Sequence, residues 1–123
     1  MPVGLASDPA MMFLALLGGH ALGDYGLQTA YMAFGKDRHA VDEHGNQKNV
    51  HWFPVLFAHA AIHGLFVGLA TGYAWLGLAE LVAHFMIHDA KSAGKFSYGA
   101  DQFLHYGCKI VWGLVAISLS SSL

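Results

Sequence analysis

The chain alternates between long apolar runs and short polar stretches. Four runs are almost wholly apolar, and each is close to the ~20 residues that a helix needs to cross the core of a bilayer. They predict helices over residues 9–34, 53–70, 74–91 and 100–119. Residues 35–52 and 92–99 are polar and predict loops. The pattern therefore predicts one all-α domain, residues 1–123, built as an integral membrane bundle of four transmembrane helices.

The composition agrees with a membrane protein better than with a soluble one. Of the 123 residues, 55% are hydrophobic and 11% are charged, against about 25% charged in soluble domains, and the mean hydropathy is +0.44. A soluble four-helix bundle would need charged outer faces, which all four predicted helices lack. Apart from Lys109, every lysine and arginine lies in or beside the two predicted loops. The positive-inside rule therefore predicts cytoplasmic loops and both termini on the non-cytoplasmic side.

Charge and cysteine content exclude several classes of protein. The net charge of −2 gives no electrostatic basis for binding nucleic acid. Cys108 is the only cysteine, which excludes an internal disulfide and a thiolate metal cluster. The first residues carry neither a basic segment nor a small-residue cleavage site, so no signal peptide is predicted. The lipid bilayer is the expected partner, and the sequence leaves open a homo-oligomer or an unidentified protein partner.

The nine histidines carry the argument about chemistry. His39, His44 and His51 fall in the first predicted loop and are expected at the surface. The other six lie in the predicted helices, beside acidic residues spaced four apart, so each helix carries one polar stripe. The stripes consist of His20 and Asp24; His59 and His63; Glu80, His84 and His88; Asp101 and His105. An ionised side chain at mid-membrane costs ~2.5–3.5 kcal/mol on insertion scales, so we expect the stripes to face one another.

Counting residues from the cytoplasmic ends predicts matched depths for the stripes. One layer, roughly 8–10 Å deep at ~1.5 Å per residue, holds Gln28, His59, His84 and His105. A second layer, about 15 Å deep by the same rise, holds Asp24, His63 and Glu80. His20 is predicted deeper, and His88 and Asp101 nearer the mouth. We expect Gln28 and Gln102 to be hydrogen-bonding braces, and Lys91 and Lys109 to be carboxylate partners or snorkelling cations.

Imidazole and carboxylate side chains together suit a borderline divalent cation such as Zn²⁺, Mn²⁺ or Fe²⁺. Two ligands four residues apart on a helix can share one metal. The candidate metal ligands, all in the cytoplasmic half of the bundle or close to it, are His20, Asp24, His59, His63, His84, His88, Asp101 and His105. They would hold one metal with surrounding partners, or two metals. With Glu80 or Asp24 as general base, such a site would suit a metal-dependent hydrolase.

Two other functions remain open. The stacked layers would also suit a proton or metal carrier or sensor. A structural or partner-binding membrane subunit would use them as a hydrogen-bonded polar core, but Asn, Ser and Thr would serve that purpose as well. Residues 65–69 and 111–119 are nearly all apolar, which favours a one-sided site over a path through the membrane. Whether the chain is an enzyme is left open by the absence of any nucleophile, phosphate-loop or cofactor motif.

Four motifs together resemble a known family. They are H-x-L-G-D-x-x-L-Q from His20, a histidine-bearing second helix, H-F-x-I-x-x-x-K from His84, and D-Q-x-x-H from Asp101. Over about residues 14–112 the chain resembles the domain of unknown function 3307 family, small multi-spanning membrane proteins of bacteria and their phages. The resemblance implies a multi-pass location in the bacterial inner membrane and no particular activity. The chain departs from the family pattern at His88, where the family has aspartate and Asp89 follows instead.

Overall fold

The computed structural model describes residues 8–121, and this part of the chain is helical throughout its regular structure. The elements are α1 Pro9–Ala21, a π-helical turn Leu22–Gly26, α2 Ala30–Gly35, α3 Trp52–Thr71, α4 Ala74–Ser92 and α5 Tyr98–Ser121. Within the described residues, an isolated bridge between Val41 and Gln47 is the only β pairing. The predicted all-α class is confirmed.

The helix predicted over residues 9–34 is interrupted. α1 passes into the π-helical turn, which ends at Gly26. The chain resumes helical geometry after Thr29, whose hydroxyl accepts a hydrogen bond at 3.1 Å from the first turn of α2. Gln28 lies in the break and donates to the Asp24 carbonyl oxygen at 2.8 Å. The prediction of one continuous helix was wrong here, because glycine weakens a helix by about 1 kcal/mol relative to alanine and local side chains satisfy the freed backbone groups.

α3 and α4 form a closely packed antiparallel hairpin. They are joined through Gly72, whose φ of 79° is a left-handed conformation that glycine adopts without strain. Further along the hairpin, Gly64 and Gly77 face each other. A Cβ added to Gly64 would lie 2.6 Å from the Gly77 carbonyl oxygen. The two backbones therefore approach as closely as glycine allows, which is typical of small residues at helix contacts in membranes.

The two ends of the bundle have opposite character. Near the α3–α4 turn, buried apolar side chains form a cluster of Met12, Leu16, Val67, Ala70, Leu76 and Ala116. Towards the other end most of the buried residues are polar, although Val55, Leu56 and Ala60 of α3 are buried there too. The buried polar residues are His20, Lys36, His59, His63, Glu80, His84, His88, Asp101, His105 and Lys109. Large apolar side chains such as Leu14, Leu78 and Phe103 are exposed on the outside. Two helices, Trp52–Thr71 and Tyr98–Ser120, are long and apolar enough to cross a membrane.

The connection between α2 and α3 is fastened onto the end of α4. The Arg38 guanidinium donates to both carboxylate oxygens of Asp89, at 2.8 and 2.9 Å, and lies 5.3 Å from the centre of the Trp52 ring. The hydrogen bonds to Asp89 raise the pKa of Arg38. The three histidines predicted at the surface of this connection are exposed. The connection is therefore a fixed cover beside the polar end of the bundle.

Candidate metal centre

The helices bring five histidines and one aspartate into a single buried cluster. His20 comes from α1 and Asp24 from the π-helical turn, while the others come from α3, α4 and α5, namely His59, His63, His84 and His105. Each of the five histidines is at most 2% exposed. Neighbouring imidazole rings are in contact: the ring centres of His63 and His84 are 3.8 Å apart, and those of His84 and His105 are 4.1 Å apart. The prediction that the stripes face one another is confirmed for these residues.

The Asp24 carboxylate lies at the centre of the cluster. Its Oδ1 is 3.0 Å from His63 Nε2 and 3.4 Å from His59 Nε2. Its Oδ2 is 3.2 Å from His20 Nε2 and accepts a hydrogen bond from Gln102 Nε2 at 3.1 Å. One carboxylate thus meets side chains from α1, α3 and α5, so it fixes the positions of these helices relative to one another.

Four of these residues have the spacing of a metal site. The donor atoms of Asp24, His59, His63 and His84 all lie within 4.8 Å of one another. In a tetrahedral zinc site with bonds of 2.0–2.1 Å, ligand atoms are about 3.3 Å apart, between the two distances measured from Asp24 Oδ1 to its histidines. His63 Nε2 is buried and out of line for a hydrogen bond to Asp24, and His84 Nε2 is also buried without a partner. Because buried nitrogens are normally paired, this donor set fits a divalent cation.

Glu80 holds the His84 ring from the opposite side. Glu80 Oε1 is 3.2 Å from His84 Nδ1 and also accepts from the Lys109 ammonium, while Oε2 accepts from Trp112 Nε1 at 2.7 Å. A carboxylate on one ring nitrogen is the usual means of orienting a histidine whose other nitrogen binds a metal. Glu80, His84 and His105 form a second group close enough to hold an ion. The expectation that Lys109 pairs with a carboxylate is confirmed.

The predicted depth layers merge into one cluster. His20, predicted deepest, has its ring centre 5.6 Å from that of His105, and its Nε2 lies 3.1 Å from Gln102 Oε1. Gln28, predicted beside His59, lies instead in the break after the π-helical turn. The depth count was wrong for these two residues because it assumed a straight helix back from residue 34, and the break removes that continuity.

The remaining predicted ligands lie towards the mouth of the cluster. Asp101 Oδ1 is 3.2 Å from His105 Nε2, and Asp101 Oδ2 accepts from Gln102 Nε2 at 3.2 Å. The ring centre of His88 is 5.8 Å from that of His59, outside the four-residue group. Both residues line a polar cavity of about 90 Å³ that reaches Asp24. His88 and Asp101 are thus near the mouth, as predicted, and Gln102 is a brace that links both aspartates to His20.

Sequence reasoning missed two residues of this region. Lys36, which reads as a loop charge, is 6% exposed, and its ammonium donates to Gln28 Oε1. Burial lowers the pKa of Lys36 to about 8. Trp112 reads as an apolar residue, although its position three residues after Lys109 places both on one face of α5. That spacing was the one signal that pointed to Trp112; no comparable signal marked Lys36.

Comparison with known proteins identifies a family but assigns no activity. A family model described as "Protein of unknown function (DUF3307)" matches residues 12–123. The match includes every residue of the buried cluster, and it confirms the resemblance drawn from the motifs. No curated protein and no solved structure matches the chain.

Proposed function

The chain belongs to the DUF3307 family, whose description assigns no activity, and on that premise we propose its function from the buried cluster. We propose a multi-pass protein of the bacterial inner membrane with four spanning helices. It binds one divalent cation of the Zn²⁺ class through Asp24, His59, His63 and His84. The bound cation serves a hydrolytic reaction in a site that opens on the cytoplasmic side.

Polarity inside and apolar surface outside support the membrane assignment. α3 and α5 are long and apolar enough to span. α1 with the π-helical turn runs from Pro9 to Gly26, about 27 Å at ~1.5 Å per residue. α4 has 19 residues, and its Glu80 and His84 are buried in the bundle while Leu78 and Val82 are exposed. Cationic residues at the polar end support a cytoplasmic opening, with both termini on the other side.

The convergence of four donors is the observation that carries the metal proposal. Their atoms come from three separate elements and lie within 4.8 Å of one another. A buried polar atom left without a partner costs about 1–3 kcal/mol. A cation would satisfy the unpartnered nitrogens of His63 and His84 together.

Access and proton transfer support hydrolysis. A divalent cation supplies Lewis acidity towards a carbonyl or phosphoryl oxygen. The cavity at the polar end reaches Asp24 and His105, so substrate and water would approach from the loop side. His105 lines the same cavity, with Asp101 Oδ1 3.2 Å from its Nε2, and would serve as the general base. Glu80 was predicted as a base, but three donors engage its two oxygens, which favours a positioning role for it.

A proton or metal carrier is the second candidate. The row of touching imidazole rings from His105 through His84 to His63 favours it. The apolar cluster around Leu16 and Leu76 argues against it, since it closes the other end of the bundle.

Metal analysis of purified protein tests the proposal. The protein would be purified in detergent without chelator and with a tag that contains no histidine. We expect about one Zn²⁺ per chain in the wild type, and loss of it in His59→Ala and in His84→Ala. His44→Ala, which changes an exposed loop histidine, is the control and should keep the metal. A wild type that stays metal-free in zinc-supplemented buffer would refute the metal site.

The same preparations separate the two uses of the metal. Hydrolysis of p-nitrophenyl phosphate or acetate that stops on chelation and returns with Zn²⁺ supports the enzyme. Proteoliposomes that pass protons or Zn²⁺ while these esters are not hydrolysed would overturn hydrolysis in favour of the carrier.

A further inference from the structure

The mouth of the polar cavity has a cationic rim. The cavity of about 90 Å³ that reaches Asp24 continues into a wider recess of about 440 Å³. The two share Gln28, Lys36, His88 and Lys91. Asp37 also lines the recess, so a group that enters from outside passes one carboxylate, two ammonium groups and one imidazole before it reaches the candidate metal ligands.

The two rim lysines are not neutralised by direct contact. Lys36 is 6% exposed, and its ammonium donates to a neutral acceptor, Gln28 Oε1. Lys91 lies over the Tyr98 ring, 5.6 Å from its centre. Within residues 8–121, no carboxylate oxygen lies within 4.0 Å of either ammonium. A buried cation without a paired anion is costly, so this arrangement calls for a ligand that carries negative charge.

Three carboxylates lie near the rim: Asp37 lines the wider recess and accepts from the His39 backbone N–H at 2.8 Å, while Asp24 and Asp101 are engaged further inside. Asp24 meets His63 and His20, and Asp101 meets His105. Their charges reach Lys36 through space and partly oppose the effect of burial, which still lowers the pKa of Lys36 to about 8. At neutral pH Lys36 is therefore mostly protonated and adds positive charge to the rim.

The His88 side chain lines the same cavity. His88 is 9% exposed, and its Nδ1 is buried without a hydrogen-bond partner. It comes from α4, one turn before Lys91, while Lys36 is the residue that caps the end of α2. The three side chains line the cavity from separate positions in the chain and do not form the planar fork that an arginine presents to a carboxylate. A tetrahedral anion can accept from donors that are not coplanar, and lysine is a common phosphate binder.

We propose that Lys36, Lys91 and His88 bind the phosphate group of a substrate. They would present the adjoining bond to the candidate metal ligands around Asp24. This names the substrate class of the hydrolysis proposed above, and in that respect it rests on that function. Binding of the phosphate itself does not need the metal. A lipid headgroup and a water-soluble phosphate ester offer the same chemistry, and the location at the mouth admits both.

Binding measurements in a phosphate-free maltoside detergent test the proposal. The probes are inorganic phosphate, glycerol 3-phosphate and dihexanoyl phosphatidic acid, each titrated calorimetrically into metal-loaded and chelator-treated protein. We expect at least one probe to bind, and Lys36→Gln and Lys91→Gln each to weaken it by about 10–100-fold. Binding of the phosphatidic acid alone assigns a lipid headgroup, whereas binding of glycerol 3-phosphate assigns a soluble ester.

Matched controls and a folding check keep the test decisive. Lys48→Gln and Lys95→Gln remove exposed lysines from the same two connections and should change affinity less than twofold. Lys36→Arg keeps the charge and should bind if Lys36→Gln fails to fold. No binding of any probe to folded wild type, or equal loss in the controls, would overturn the proposal and leave the rim lysines as distant counter-charges of Asp24 and Asp101.

The metal content of the same samples separates the two proposals. Lysine variants that keep Zn²⁺ and lose phosphate support a phosphate subsite distinct from the metal ligands. Wild type that binds phosphate without holding any metal refutes the metal site and leaves the phosphate site standing.

Discussion

Gly23 provides the sharpest perturbation of the candidate site, because it changes no ligand. It lies in the π-helical turn against the His63 ring. A Cβ added at Gly23 would lie 2.5 Å from His63 Nε2 and 2.7 Å from His63 Cε1. Ordinary contacts of carbon lie at about 3.5–4.0 Å, so in Gly23→Ala the ring or the turn must move by about 1 Å.

Neighbouring imidazole rings restrict the movement of the His63 ring. Its centre is 3.8 Å from that of His84 and 4.8 Å from that of His59. Metal–ligand distances hold within about 0.2 Å, so a shift of about 1 Å removes His63 from the metal or displaces a second ligand. Removing a residue that only orients a metal ligand typically weakens metal binding by about 10–100-fold. Because Gly23→Ala would displace a ligand itself, we expect it to weaken Zn²⁺ binding by about 100-fold or more.

Gly18→Ala is the matched control. Gly18 lies in α1, and an added Cβ there meets nothing within 4 Å. Both substitutions gain about 1 kcal/mol of helix preference, so only Gly23→Ala should lose affinity. A competition titration against a chromophoric chelator measures both variants. Equal zinc affinity of Gly18→Ala and Gly23→Ala would refute the reasoning that places His63 among the ligands.

Three further predictions concern the packing, the ion pair and the rim. Gly64→Ala should lower the melting temperature by several degrees, because its Cβ would lie 2.6 Å from a carbonyl oxygen of α4. Gly68→Ala, whose Cβ would have its nearest contact at 3.9 Å, should not lower it. Equal melting temperatures of the two variants would contradict the close approach of α3 and α4. Glu80→Gln leaves Lys109 buried without its counter-charge, so we expect a loss of about 3–5 kcal/mol in stability and about 10–100-fold in zinc affinity. The double variant Glu80→Gln/Lys109→Met should recover the stability without the affinity, and a double variant as unstable as the single one would count against the pair. The pKa of Lys36 is lowered to about 8, so the rim loses the Lys36 charge as the pH rises through that value. Sulfate, whose own charge is constant above pH 5, should therefore bind the wild type more weakly at pH 9 than at pH 7, whereas its binding to Lys36→Arg should not change. Wild-type binding that is undiminished at pH 9 would contradict this prediction.

The parts of the site that sequence could predict are those that follow from helical periodicity. His59 and His63, four residues apart, must share a face of α3, and the cost of polar groups facing lipid turns that face towards the bundle. The same argument applies to Glu80 and His84 in α4. These residues do converge, together with Asp24. Periodicity and the cost of exposing polar groups to lipid were therefore sufficient to predict that these side chains face one another.

Other parts depend on local geometry that periodicity does not contain. The break after Gly26 arises from glycine and from side-chain hydrogen bonds to the backbone. The apolar pattern of residues 9–34 would be the same for a continuous helix and for a broken one. Lys36 follows α2 after that break, beside a connection that Arg38 fastens to α4, and it is 6% exposed. The close approach of Gly23 to His63 likewise follows from the π-helical turn.

The central claim is that Asp24, His59, His63 and His84 together hold one divalent cation. X-ray absorption at the zinc edge of the zinc-loaded protein tests it most directly, because it reports the number and kind of atoms around the metal. We expect four nitrogen and oxygen ligands at about 2.0–2.1 Å, with the outer-shell scattering of three imidazoles. A sulfur ligand, a shell of six oxygens, or a spectrum unchanged in His63→Ala would contradict it.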